Sequence, residues 1–191
     1  MSHPKARNTH QRFHAVQFYQ DDASLVTVVA KFLAEGLRQS QPGVVVATPE
    51  HRSAIEDALL ELGLDVGRLK RFGDIVLLDA RETLDTILAD GLPHPQLFNH
   101  VAGSMLGELA RMHPNRPIRA YGEMVDVLWQ DGMSTAAIRL ETLWNGLAKS
   151  HDFKLLCGYS MGNFYKDAVV GEITRLHTHL IADTGEAATI N

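Results

Sequence analysis

Along the chain, short apolar runs alternate with longer stretches whose apolar residues recur every three to four positions. His14-Ala15-Val16-Gln17-Phe18-Tyr19 predicts a strand, being rich in aromatic and β-branched types. Asp21 or Asp22 can cap the helix that follows, and Leu25, Val28, Val29, Phe32, Leu33 and Leu37 give that helix one apolar stripe. Val44-Val45-Val46-Ala47 and Ile75-Val76-Leu77-Leu78 are continuous apolar runs, which suit strands covered on both faces. Between them, Thr48 as N-cap and Pro49 at the first helical position start a helix with the stripe Ile55, Ala58, Leu59 and Leu62, ended by Gly63. Arg81 to Ala89 predicts a short helix closed by Gly91. Leu97 to Met112 predicts a longer one, broken by Pro114 and Pro117. Ile118 to Tyr121 reads as a fourth strand and Met124 to Trp129 as a short helix. Ser134 caps a helix running to about Lys149, Phe153 to Cys157 is a fifth strand, and Val169 to Ile181 a last amphipathic helix.

Strands alternating with helices imply right-handed crossovers. The expected fold is therefore α/β and three-layered, a mainly parallel sheet of about five or more strands with helices on both faces. Residues 1–12 are polar and basic and read as a flexible N-terminal tail; 13–182 form one domain; 183–191 are a polar C-terminal tail.

Composition narrows the classes. A chain of 191 residues, 45% hydrophobic, can bury a real core. A net charge of −5 weighs against a direct nucleic-acid partner. No apolar run approaches the roughly 20 residues that span a bilayer, so no membrane partner is expected. The start of the chain lacks the apolar segment of a secretory signal. The single cysteine, Cys157, excludes an intrachain disulfide and any multi-cysteine metal site, which makes the cytoplasm the expected location.

In open parallel sheets, ligands bind outside the carboxyl ends of the strands. That rule selects the turns from Tyr19 to Asp22, Thr48 to His51, Asp79 to Arg81, Tyr121 to Met124 and Cys157 to Met161. Their inventory is aromatic and acidic, whereas a phosphate-rich ligand wants glycine amides, Lys and Arg. Neither G-x-x-x-x-G-K-[ST] nor G-x-G-x-x-G occurs, and the first turn carries Asp21 and Asp22 instead. A small, weakly polar ligand fits better than a nucleotide.

Individual residues carry two readings each. Glu123, just past a strand, is a general base, metal ligand or ligand anchor, or else a contact to the next helix. His51, in a helix's first turn, is either a neutral hydrogen-bonding group, since the helix dipole disfavours imidazolium, or an ordinary surface histidine. Glu141 lies on the apolar stripe of its helix and is a pocket acid or a structural partner for Arg119 or Arg139. Cys157 is either an inert small hydrophobe or a nucleophile, and the latter needs a basic partner that spacing does not supply. His14 starts a strand and can simply bond backbone. Trp129 and Trp144 suit a core or the wall of an apolar pocket. His177 and His179, two apart, cannot share a helical face, which weighs against a zinc site there. No catalytic residue, metal or cofactor is assigned.

Several ordered stretches resemble the MEDS family, the methanogen/methylotroph sensory domains of the dichloromethane-responsive repressor type. They are His14-Ala15-Val16-Gln17-Phe18-Tyr19, Phe32-Leu33-Ala34-Glu35-Gly36-Leu37, Val46-Ala47-Thr48-Pro49-Glu50-His51, Tyr121-Gly122-Glu123-Met124, Leu140-Glu141-Thr142-Leu143-Trp144-Asn145 and Leu155-Leu156-Cys157-Gly158-Tyr159. The resemblance spans about His14 to Ile181. It implies a relative of RecA/KaiC-like ATPases that lacks the phosphate loop. It also implies a sensory role in signal transduction or transcription regulation, with simple hydrocarbon derivatives as proposed ligands.

The resulting expectation is a stand-alone cytoplasmic sensory domain that binds a small organic ligand or a partner and relays it by protein–protein contact. Tyr19, His51, Glu123, Trp144 and Tyr159 are expected to form the ligand site, supported by His14, Asp21, Glu141 and Cys157. The expected partner is a signalling protein such as a kinase, an anti-sigma component or a regulator, and a homodimer stays open. Closure around Asp21-Asp22 would shift a docking surface, with the last helix as the output face. Two alternatives stand beside this: an enzyme with Glu123 as general base, and a degenerate nucleotide-binding regulator.

Overall fold

Why the chain folds as it does is clearest from its central sheet. In the computed structural model, which describes residues 12–163, 167–182 and 184–190, strands β1 (Phe13–Tyr19), β2 (Gly43–Ala47), β3 (Ile75–Asp79), β6 (Ile118–Gly122), β7 (Phe153–Ser160), β8 (His179–Ile181) and β9 (Ala187–Thr189) form one seven-stranded sheet. Its order is β3-β2-β6-β7-β1-β8-β9, and every pairing is parallel except β8 with β9. The β2 run is buried at all five positions, as expected of a strand covered on both sides.

Alternate residues supply two cores. Ala15, Val45 and Ala47 pack beneath α1 (Asp22–Arg38), α2 (Pro49–Glu61) and α3 (Val66–Phe72). Val16, Val44 and Val46 pack beneath α4 (Ala80–Ile87), α6 (Ser104–Met112), α7 (Met124–Gln130), α8 (Ser134–Leu147) and α9 (Asp167–Leu176). Each fully buried aliphatic such as Leu25, Leu33 or Leu140 contributes about 1.5–3 kcal/mol. A four-residue α5 (Pro95–Phe98) runs through a π-helical segment, Asn99–Gly103, into α6.

Several expected boundaries move. The helix from Arg81 ends at Ile87, because Asp90 and Gly91 adopt positive φ (51° and 75°) and close a two-residue hairpin, β4 (Leu88–Ala89) with β5 (Leu92–Pro93). Met133, not Ser134, is the N-cap of α8. The fifth strand runs on to Ser160, and α3, with Gly73 at its C-cap in the left-handed region (φ 71°), had no counterpart in the sequence pattern. The last amphipathic helix stops at Leu176, and Thr178 instead meets β1: its amide donates to the His14 carbonyl at 2.7 Å and its hydroxyl accepts the His14 amide at 2.9 Å. The open edge of β1 needs backbone partners, and β8 supplies them at the cost of the helical period. The polar end is not frayed throughout, since β9 pairs with β8. The N-terminal tail expected over 1–12 lies almost wholly outside the described residues.

This topology fixes where a site can form. The chain leaves β2 outward toward β3 and leaves β6 inward toward β7, so the connections diverge between the carboxyl ends of β2 and β6.

Candidate functional site

Glu123 sits at that switch point, immediately after β6, and is buried. One carboxylate oxygen accepts the Thr48 amide; the other accepts the Tyr121 hydroxyl at 2.8 Å and faces His51 Nδ1 at 2.7 Å. Thr48 occupies the N-cap of α2 but its own side chain makes no capping bond, so the Glu123 carboxylate meets the positive end of that helix. His51 Nε2 lies 3.3 Å from Asp22 Oδ1 at the start of α1. With a carboxylate at each ring nitrogen, only imidazolium can donate to both. The hydrogen bond to Glu123 is the main cause that lifts the His51 pKa to about 9, against the opposing effect of burial. The neutral reading of the imidazole is therefore corrected: two carboxylates outweigh one helix terminus. Burial pushes the Glu123 carboxyl upward, yet His51 and the Thr48 amide outweigh it and hold it below its ordinary value.

A second carboxylate lies alongside. Asp126 accepts the Tyr19 hydroxyl at 3.2 Å, the Gln130 amide at 2.7 Å and the Ser160 backbone amide at 3.1 Å. Burial nevertheless raises it above its ordinary value, and burial with the nearby Asp126 carboxylate raises the Tyr19 phenol. The Tyr19 ring meets His51 edge-on, 6.2 Å between centroids. Tyr19, His51 and Glu123 thus lie together at the strand ends, Tyr19 joined to the other two by its ring contact with His51 and turned by its hydroxyl to Asp126.

The other expected residues go elsewhere. Asp21 is the N-cap of α1, accepting the Ser24 amide at 2.8 Å, and it is the neighbouring Asp22 that reaches His51. Asp79 caps α4, and Arg81 pairs with Asp131 at 2.8 Å on the surface. Trp144 points to the opposite core, edge-on to Phe98 at 4.9 Å. There, with Val46, Leu78, Thr83, Ile87, Phe98, Val101, Ala102, Met105 and Met124, it lines a small apolar crevice of about 10 Å³.

Tyr159 belongs to a third group with His14, Glu141 and Cys157, on that same face. The Tyr159 hydroxyl donates to Glu141 Oε1 at 2.9 Å. His14 Nε2 lies 3.2 Å from Glu141 Oε2 and 3.4 Å from Cys157 Sγ. His177, which the sequence pattern set aside with His179, brings Nε2 to 3.4 Å from Glu141 Oε1. Glu141 is therefore partnered by histidines; Arg119 lies across the sheet, bonded to Glu35 at 2.9 Å. A basic neighbour for Cys157 does exist in His14, but burial and the adjacent Glu141 push the thiol pKa well up, so the sulfur is no thiolate nucleophile. Ligand atoms of His14, Glu141, Cys157 and His177 all lie within 4.8 Å of one another.

The turn after β1 thus has carboxylates in place of a phosphate cradle, and the buried Glu123 carboxylate occupies the start of α2. The model of the methanogen/methylotroph, DcmR sensory domain matches residues 13–178. The chain belongs to the MEDS family. That membership gives it a sensory, signalling role. No curated protein matches it. Among solved structures, it resembles an uncharacterised Pyrococcus horikoshii protein crystallised in complex with an unknown peptide (TM-score 0.64, 11% identity, 88% of this chain and 76% of that one). It also resembles a KaiC-like protein of Pyrococcus horikoshii (TM-score 0.56, 12% identity, 88% and 70%). At such identities the likeness speaks for the fold, and this MEDS domain has the RecA/KaiC-like architecture expected of it.

Proposed function

We propose that this MEDS domain senses a small apolar organic molecule, of the size of a one- or two-carbon halogenated hydrocarbon, and relays its presence to a signalling protein. The observation that carries this reading is the wholly carbon-lined crevice against Trp144, whose wall residue Met124 directly follows Glu123. Apolar cavities stay dry and take small apolar guests. At about 10 Å³ the crevice has room for no more than about one water, so a guest must widen it, and Met105 and Met124 have the flexible side chains for that. The π-helical segment Asn99–Gly103, a feature often found at functional sites, forms its far wall through Val101 and Ala102. Displacing Met124 would move Glu123 and loosen its grip on Thr48 and His51. His51 and Asp22 surface in a groove between α1 and α2, which is then the relay face. The guest need only prefer the widened state to shift the population.

Catalysis by Glu123 is a weaker reading. Both its oxygens are engaged, and its carboxyl sits below the ordinary range, which makes a poor general base. Nucleotide turnover is weaker still, for want of a phosphate cradle. Among the described residues no helix is long and apolar enough to cross a membrane, and the reading places the domain in the cytoplasm beside its kinase, anti-sigma component or transcription regulator. Thermal denaturation with dichloromethane, chloroform or bromoethane tests the proposal. At ten times Kd the stabilisation is about 1.4 kcal/mol, a rise of about 3–6 °C for a chain of this size. Ala102→Leu, which fills the crevice, should abolish the rise; an unchanged rise in that variant refutes the site.

A further inference from the structure

Beneath α8, away from the strand-end network, four side chains from four segments point at one spot. They are His14 from β1, Cys157 from β7, Glu141 from α8, and His177 just past α9. All four are buried, Glu141 completely. Two features separate this from an ordinary buried ion pair.

The first is the orientation of the histidines. His14 Nδ1 faces the Asn145 side-chain oxygen at 3.1 Å, while the Asn145 amide donates to the Leu176 carbonyl at 2.8 Å. His177 Nδ1 faces the Ile173 carbonyl at 2.8 Å. An oxygen acceptor at Nδ1 fixes the proton there, so in each neutral ring Nε2 presents its lone pair. Both Nε2 atoms aim inward at Glu141, and His177 Nε2, in a residue nine-tenths buried, has Glu141 Oε1 at 3.4 Å as its one polar contact among the described residues, too poorly aligned for a good hydrogen bond. An outer N–H held by oxygen with the inner nitrogen free is the arrangement of metal-binding histidines. Two lone pairs facing a carboxylate repel it unless a cation lies between, either a proton on each Nε2 or one metal ion shared by all four groups.

The second is the spacing. A tetrahedral zinc with N or O ligands at about 2.0–2.1 Å and sulfur at about 2.3 Å has edges of about 3.3–3.6 Å. Four separations lie close to this: 3.2 Å (His14 Nε2 to Glu141 Oε2), 3.4 Å (His14 Nε2 to Cys157 Sγ), 3.7 Å (Cys157 Sγ to Glu141 Oε2) and 3.4 Å (His177 Nε2 to Glu141 Oε1); the whole set spans up to 4.8 Å, so the side chains draw inward by up to about 1 Å to close on an ion. Charge also balances: a divalent ion with one carboxylate and one thiolate is neutral, which a dry site requires. The thiol proton leaves to solvent as the metal binds. Tyr159 would orient the carboxylate through its bond to Oε1.

We infer that His14, Glu141, Cys157 and His177 form a closed structural site for a soft divalent cation of the zinc type. The site pins α8 and the segment after α9 onto β1 and β7. The inference is independent of the hydrocarbon reading, since none of the four lines the apolar crevice.

The test uses the full chain. Protein refolded with excess Zn²⁺ and desalted should retain about one zinc per chain by elemental analysis. Chelation should lower its Tm by at least 5 °C. Refolding with Co²⁺ should give tetrahedral d–d bands and a thiolate-to-cobalt charge-transfer band. Cys157→Ser should lose the charge-transfer band and weaken Co²⁺ affinity at least tenfold, judged on variant material with native circular dichroism. His177→Asn provides a second variant, expected to lower zinc retention below one half. Less than one-tenth zinc per chain with a Tm indifferent to chelator overturns the site. So does a cobalt spectrum unchanged by Cys157→Ser.

Discussion

Removing the His51 imidazole should flatten the alkaline side of the stability profile. In the folded chain this ring titrates at about 9, against 6.5 when unperturbed, chiefly because it donates to Glu123. At 1.36 kcal/mol per pKa unit the difference corresponds to about 3 kcal/mol. One of its two carboxylates, Asp22, is 76% exposed and screened by solvent, which reduces the contribution to about 2 kcal/mol. The native state binds the proton more tightly than the unfolded chain does. The stabilisation is therefore complete below about pH 6.5 and is lost as pH rises through about 9. Urea denaturation at pH 6 and at pH 9.5 should show the wild type losing about 2 kcal/mol more than His51→Gln over that interval. Subtracting the variant removes contributions from other groups, among them His177, whose pKa is raised by Glu141 against the opposing effect of burial. Parallel pH profiles for the two proteins would mean that the Glu123–His51 contact does not hold a proton, and the relay built on it would fall.

Other consequences follow from packing. A Cβ on Gly36 would lie 2.7 Å from Arg119 Cγ, and that side chain is pinned by Phe32 O, Glu35 and Gln41. Gly36→Ala should therefore destabilise by about 1–2 kcal/mol in chemical denaturation. Gly146→Ala on the open side of α8 meets nothing within 4 Å and should stabilise by up to about 1 kcal/mol. Tyr159→Phe removes a donor from the fully buried Glu141 and should lower stability by about 1.5–3 kcal/mol, or roughly 4–10 °C by calorimetry.

Much of this architecture was legible in the apolar pattern. The run at Val44 reads as a two-sided strand and is one, whereas the run at Ile75 forms the edge of the sheet and is half-buried beyond its first residue; Asp21 caps α1 as its position suggests, and Pro49 starts α2 although Thr48 makes no capping bond. Tyr19, His51 and Glu123, picked out by the strand-end rule, are neighbours in the fold, because that rule depends only on topology. Tyr159, which the same rule selected, goes elsewhere, as does Trp144, which came into the expected site from its helix stripe and not from that rule. Trp144, on a helix, and Tyr159, on β7, face the core opposite α1 and α2, and no local signal says which face a residue near a strand end will choose. His177 escaped because its helix was drawn too long: its partner is set by β8 docking on β1, a long-range pairing that helical periodicity cannot register. The charge on His51 was misjudged because the helix it begins was legible while the carboxylate of Glu123, 72 residues away, was not.

The account turns on a mechanical link between an apolar crevice and the Glu123–His51 contact on the other side of β6. Methionine-methyl and histidine-ring NMR during a titration with dichloromethane measures both ends at once. Saturable shifts of the Met105 and Met124 methyls, with a His51 ring shift at the same midpoint and none at the exposed Met112, are the predicted result. Methyl shifts that leave His51 unmoved, or no saturable shift at Met124, would contradict it.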